Sequence, residues 1–205
     1  MTTAPPRHRL VELDRGDLVD RLTDALTIYV SAMSYPPGTA RGRRALWLDH
    51  VQRPGWRSVG ALDAGDGLLG ITYGYVGGPG QWWFEEVRRG LRGQRSGRRA
   101  WLTDYFELTE LHVRPDAQGC GIGEGLVRGL LAGTDRARVL LSTPEHTPGQ
   151  PSRAWQLYRR LGFLDVLREH RFTGDTRPFA VLGRTLPLEP PAGPVAGDYP
   201  HRWSR

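Results

Sequence analysis

One segment constrains this chain more than any other: Val113-Arg114-Pro115-Asp116-Ala117-Gln118-Gly119-Cys120-Gly121-Ile122-Gly123-Glu124-Gly125-Leu126. A strand of near-alternating character, Tyr105 to Val113, ends at Pro115, which has no N–H to donate to a sheet. Glycines at 119, 121 and 123 follow, and then Ile122, Leu126, Val127, Leu130 and Leu131 recur at helical spacing until Gly133. Strand, glycine turn and helix in that order leave successive backbone N–H groups unshielded at a helix N-terminus, where partial positive charge also lies. The segment is an anion cradle, or else a glycine-rich turn with no ligand. It is not the dinucleotide fingerprint, because the GxGxxG spacing from Gly121 meets Leu126 where the third glycine belongs. A phosphate loop would place a lysine after the glycines, and none follows.

None could, since the chain contains no lysine and all 28 of its basic residues are arginine. Phosphate-loop, pyridoxal, kinase and lysine-nucleophile chemistries are thereby excluded. His8, His50, His112, His146, His170 and His201 show no HExxH or paired spacing, and the single Cys120 makes neither a zinc knuckle nor an internal disulfide, so no metal is expected. The net charge of +6 raises the question of nucleic acid, and Arg88, Arg89, Arg92, Arg95, Arg98 and Arg99 do cluster. No RNA-binding or helix-turn-helix signature accompanies them. They read as a solvated surface or the rim of an acidic ligand site, not a nucleic-acid surface. No apolar run approaches the ~18 residues of a membrane span, and the N-terminal segment has no apolar core of a signal peptide. A cytoplasmic chain with no membrane partner is expected.

Periodicity predicts a strand from His8 to Arg15 and one helix from Gly16 to Met33, with Leu18, Leu22, Leu26 and Val30 as its stripe. A second helix is predicted from Arg43 to Val51. Trp56 to Leu62 and Gly67 to Val76, joined by Asp63-Ala64-Gly65-Asp66, read as an antiparallel pair. Residues 81–99, with Trp82-Trp83-Phe84 and the arginines, read as an insertion between strands; an exposed aromatic patch there would suggest a homodimer over a monomer. A strand from Val139 to Ser142, a helix carrying Ala154, Leu157, Tyr158 and Leu161 capped by Gly162, and strands from Phe163 to Arg171 and Phe179 to Leu186 complete the order. The class is α+β, a mixed, mostly antiparallel central sheet of about seven strands flanked by helices. One domain over residues 1–186 is expected. Residues 187–205, with five prolines, read as a flexible tail in which Tyr199 and Trp203 are the residues that could dock.

Two motifs resemble a known family. Gln118-x-x-Gly121-x-Gly123, after the strand Glu110-Leu111-His112-Val113, is similar to the pyrophosphate-binding motif of the GNAT superfamily of acetyl-CoA-dependent N-acetyltransferases. Ala154-Trp155-Gln156-Leu157-Tyr158-Arg159-Arg160-Leu161-Gly162-Phe163 resembles the family's A-x-x-L-Y-x-x-x-G-F helix. The resemblance implies that the backbone amides of Gly119, Cys120, Gly121, Ile122 and Gly123, with Gln118, hold the cofactor pyrophosphate. It implies that the main chain of Leu111, His112 and Val113 pairs with the pantetheine arm, the Leu111 N–H polarising the thioester carbonyl. Where members often carry an asparagine this chain has Pro151, so Ser152 substitutes for it or the contact is absent; Cys120 stands where a basic residue is common.

By the same resemblance Tyr158 protonates the departing thiolate. An alkyl ammonium near pKa 10 is deprotonated about once in 10³ at neutral pH, so a carboxylate base would add roughly 10²- to 10⁴-fold. Glu107, eleven residues before Gln118, matches the family's catalytic glutamate, and Glu110 lies next to Leu111. The expected function is acetyl transfer to a primary amine by direct attack in a ternary complex. The expected acceptor is a cationic small molecule, with Asp104, Glu107, Glu110, Glu145, Tyr73, Tyr75, Trp82 and Trp83 as candidate lining. A protein or peptide amine is the rival acceptor, and a non-catalytic acyl-CoA- or nucleic-acid-binding regulator is the rival class.

Overall fold

A computed structural model of the chain describes residues 8–94, 96–145 and 152–189. Its elements run β1 (Arg9–Leu13), α1 (Arg15–Asp20), α2 (Leu22–Ala32), α3 (Thr39–Val51), β2 (Arg57–Leu62), β3 (Leu68–Val76), α4 (Trp82–Gly90), a 3-10 helix (Ser96–Leu102) and β4 (Tyr105–Val113). A 3-10 turn (Pro115–Ala117) leads to α5 (Ile122–Ala132), β5 (Arg138–Pro144), α6 (Arg153–Arg160), β6 (Leu164–His170) and β7 (Phe179–Thr185). The seven strands form one sheet in the order β1-β2-β3-β4-β5-β7-β6. The pairs β1/β2, β2/β3, β5/β7 and β6/β7 are antiparallel and β4/β5 is parallel, the mixed and mostly antiparallel sheet expected. Residue contacts group the described residues into two compact units, 8–74, 110–133 and 189 in one and 75–94, 96–109, 134–145 and 152–188 in the other. Of the expected tail, 187–205, residues 190–205 lie outside the described residues, Tyr199 and Trp203 among them.

In the first unit the helix expected over Gly16 to Met33 is two helices. Asp14 caps α1, its Oδ1 accepting from Asp17 N at 2.9 Å while Asp17 Oδ2 accepts from Asp14 N at 3.0 Å. The break falls at Arg21, whose guanidinium donates to the Asp66 carbonyl at 2.9 Å. α3 starts at Thr39, four residues before the expected Arg43, as the chain leaves Pro36-Pro37-Gly38. α5 lies on β1 and β2. A Cβ on Gly70 of β3 would come within 3.0 Å of the His112 carbonyl and 3.1 Å of Leu126 Cδ1, so only glycine lets β3 run this close to the end of β4.

In the second unit α4 supplies core. Trp83, Phe84, Val87 and Leu91 pack with Tyr105, Leu140, Val166, Phe172 and Val181, and Trp83 Nε1 donates to Ser142 Oγ at 3.1 Å. Of Trp82, Trp83 and Phe84 only Trp82 is exposed, because a helix turns its two neighbours inward, so the three do not form an exposed patch.

Candidate active site

The strand, turn and helix at the centre of the sequence reading form one continuous piece of the first unit. β4 ends with Arg114 N donating to the Leu69 carbonyl at 2.8 Å, and Gln118 Nε2 reaches back to the Val113 carbonyl at 3.0 Å. Gln118 therefore braces the turn against the strand. Gly119 and Gly121 take φ of +84° and +80°, the left-handed region that favours glycine. Gly121 is the N-cap of α5 and offers no side-chain cap. The first amides of that eleven-residue helix have no helical partner. A Cβ built on Gly121 meets no atom within 4 Å, so the turn faces open space. Glu124, the acidic residue of the first helical turn, is drawn aside by Arg128 Nε at 2.9 Å. Open approach, left-handed glycines and unpaired amides are what an anionic phosphate group needs. Cys120 is half-buried beside the Gln118 carbonyl.

Glu110, Leu111, His112 and Val113 immediately precede this turn. The main chain of His112 was its expected role, and its side chain is engaged as well: Nε2 stands 2.5 Å from Glu110 Oε2. Tyr29 of α2 packs edge-on to the imidazole at 5.0 Å and Trp47 of α3 stacks at 6.4 Å. Neither aromatic was singled out from sequence as a site residue; Tyr29 lies one step off the Leu18/Leu22/Leu26/Val30 stripe. Nearby, His50 Nδ1 and the Tyr73 hydroxyl are 3.0 Å apart, and burial pushes His50 down to about 4.

The second unit holds Glu107, Ser152 and Tyr158. Glu107 is buried at 3% exposure, and its Oε1 accepts from the Tyr75 hydroxyl at 3.2 Å. Burial, then the charge of Glu107, raises the Tyr105 hydroxyl far above the ordinary phenol range. The parallel register of β4 with β5 covers Tyr105↔Arg138, Phe106↔Val139 and Glu107↔Leu140, while β4 itself continues to Val113. Ser152 is the N-cap of α6, its hydroxyl accepting from Trp155 N at 3.1 Å. Tyr158 is buried on the same helix with its ring 5.5 Å from Phe163.

Several expected acceptor-lining residues turn out to have other employment. Tyr73, Tyr75 and Trp83 are buried in core. Asp104 pairs with Arg136 at 3.1 Å and Glu145 with Arg168 at 2.8 Å. Among the described residues no group of three or more His, Cys, Asp or Glu could hold a metal, and no helix is long and apolar enough to cross a membrane.

No protein-family model matches the chain. It is 51% identical over 205 aligned positions to a GCN5-like protein acetyltransferase of Mycobacterium tuberculosis, a match covering 87% of this chain and 98% of the relative. The chain belongs to the GNAT acetyltransferase family. Solved GNAT structures share its fold. An acetyltransferase of the GNAT family from Desulfovibrio desulfuricans superposes with a TM-score of 0.61 at 15% identity, over 87% of this chain and 98% of that one. An aminoglycoside 6'-N-acetyltransferase complexed with coenzyme A gives 0.57 at 17% identity, over 88% and 98%. Like its family, the chain is an acyltransferase that uses acetyl-CoA.

Proposed function

We propose that this GNAT chain moves the acetyl group of acetyl-CoA to a primary amine of a protein, by direct attack with both substrates bound. The observation that carries the donor half is the left-handed turn at Gly119 and Gly121, open in front and uncapped at the start of α5. The protein acceptor is supported by the designation of the relative at 51% identity, a protein acetyltransferase; the cationic small molecule expected from the acidic and aromatic residues is the second reading, favoured by the likeness in fold to an aminoglycoside 6'-N-acetyltransferase.

Acetyl-CoA supplies an activated thioester. The amides of Gly119, Cys120, Gly121, Ile122 and Gly123 would hold its pyrophosphate, with Gln118 keeping the turn in shape through its bond to Val113. The main chain of Leu111, His112 and Val113 would take the pantetheine arm along the stretch of β4 beyond its register with β5. Leu111 N–H then offers a fixed dipole where negative charge develops on the carbonyl oxygen. A carboxylate of β4, Glu107 or Glu110, removes one proton from the ammonium. The freed lone pair forms the N–C bond as the C–S bond breaks, and the Tyr158 hydroxyl hands its proton to the sulfur and regains one from the nitrogen. Ser152 acts as the helix cap of α6, which fixes the orientation of Tyr158.

The test is thiol release from acetyl-CoA across lysine peptides, peptide N-termini, polyamines and aminoglycosides. The highest kcat/KM is expected on a peptide amine. A higher value on a small cationic amine returns the acceptor to that class, and binding of acetyl-CoA without turnover of any amine supports the regulator instead.

A further inference from the structure

β4 brings the carboxylate of Glu110 and the imidazole of His112 together. His112 Nε2 lies 2.5 Å from Glu110 Oε2, and the imidazole is held in plane by Tyr29, edge-on at 82°, and by Trp47, stacked at 20°. Thr72 Oγ1 donates to the Glu110 carbonyl at 2.8 Å and anchors the backbone of the pair. An Nε2–H held against a carboxylate fixes the tautomer and aims the carboxylate at the same time. Glu110 also directly precedes Leu111, whose N–H faces the thioester carbonyl in the function proposed above. Glu107 stands differently: it is buried and takes the Tyr75 hydroxyl among the aromatic side chains of the second unit's core.

We propose that Glu110 is the base that takes the acceptor's proton and that His112 is its positioning residue, a reading that rests on the acetyl-transfer function above. Glu110 accepts one proton from the ammonium and releases it to solvent after turnover. The second proton lost by the nitrogen replaces the one that Tyr158 gives to sulfur, so charge and atoms balance without another reactant. His112 holds that carboxylate in place through Nε2. Two ionisable neighbours, Tyr29 of α2 and His50 of α3, feel the charge of Glu110, and His50 in turn meets the Tyr73 hydroxyl of β3. Burial raises the Tyr29 hydroxyl and holds His50 at about 4, so both stay neutral through the neutral range. A base on Glu110 is read from the acidic limb of the rate profile.

The experiment is kcat/KM against pH for thiol release by the wild type, Glu110→Gln, His112→Phe and His112→Gln, each checked for folding by its thermal transition. Glu110→Gln is expected to lose about 10²-fold or more in rate and to lose the acidic limb. His112→Phe keeps a ring between Tyr29 and Trp47 but removes the donor, so the rate is expected to fall about tenfold or more. The limb should move to higher pH, because the carboxylate has lost the bond that favoured its charged form. His112→Gln returns an N–H donor and is expected to bring the limb and most of the rate back. A folded His112→Phe with the wild-type profile overturns the proposal. So do an unmoved limb with both His112 variants equally slow, which is a packing role, and a Glu110→Gln that keeps its limb. Those results leave acetyl transfer standing, whereas a wild type that releases thiol with no amine overturns the function and this proposal together.

Discussion

Gly121→Ala separates the cost of a left-handed turn from the loss of a ligand. The residue takes φ of +80°, and an L side chain there costs about 1 to 2 kcal/mol. No steric cost adds to this, since the new Cβ meets nothing within 4 Å. For a chain of this length the melting temperature should drop by about 2 to 8 °C. The same methyl projects into the open space that the donor's pyrophosphate is argued to fill. Acetyl-CoA at a hundred times its dissociation constant stabilises the wild type by about 2.7 kcal/mol, a rise of roughly 5 to 10 °C. A hundredfold weaker site leaves about 0.4 kcal/mol, or ~1 °C, at the same concentration. Differential scanning fluorimetry with acetyl-CoA, ATP and NAD reads both effects. Gly125→Ala on the same helix is the control, since its Cβ is directed at the buried Leu10 side chain, Cδ1 at 2.9 Å, and not at open space, so it should keep the acetyl-CoA shift. A folded Gly121→Ala with the full acetyl-CoA shift, or an equal shift with ATP in the wild type, refutes the reasoning.

Tyr158→Phe keeps the ring against Phe163 while deleting the hydroxyl, so kcat should fall about 10- to 10³-fold with little change in cofactor KM, and wild-type turnover would return Tyr158 to packing alone. Glu107→Gln still accepts from the Tyr75 hydroxyl and should keep the acidic limb of the pH profile; loss of that limb would make Glu107 the base after all. Burial takes His50 from 6.5 to about 4, so below pH 6.5 the unfolded chain binds a proton that the folded chain refuses. Stability should therefore decline as pH falls from 6.5 towards 4, by up to about 3 kcal/mol from this residue, and His50→Gln should flatten that decline in urea titrations. An unchanged slope in His50→Gln would assign the acid sensitivity elsewhere.

Elements with two-sided signals were legible from residue order. Tyr105 to Val113 alternates, ends at Pro115 and forms β4 with those bounds, and Asp63-Ala64-Gly65-Asp66 does join two antiparallel strands. The helix break at Arg21 was not legible, because Leu18, Leu22, Leu26 and Val30 keep one stripe across it without glycine or proline. What breaks it is tertiary, an arginine reaching a carbonyl 45 residues away. The start of α3 was missed for the opposite reason: Thr39 to Arg44 is polar, with no apolar period to read. Which of Trp82, Trp83 and Phe84 face the core was not legible, because an aromatic run beside arginines does not say which side a partner covers. In the site, the glycine turn was written in the spacing of residues 119 to 123. The engagement of His112 with Glu110 was not, since two side chains on alternate strand positions meet only when helices such as α2 and α3 wall that face.

Intact-mass analysis of the enzyme and a lysine peptide, incubated with acetyl-CoA while free thiol is followed, tests the central claim most directly. The expected result is one acetyl group on the peptide amine for each thiol released, with the enzyme, Cys120 included, left unmodified. Thiol release with no acetylated amine, or an acetyl group held on Cys120 and passed on from there, would contradict direct transfer from acetyl-CoA to the acceptor.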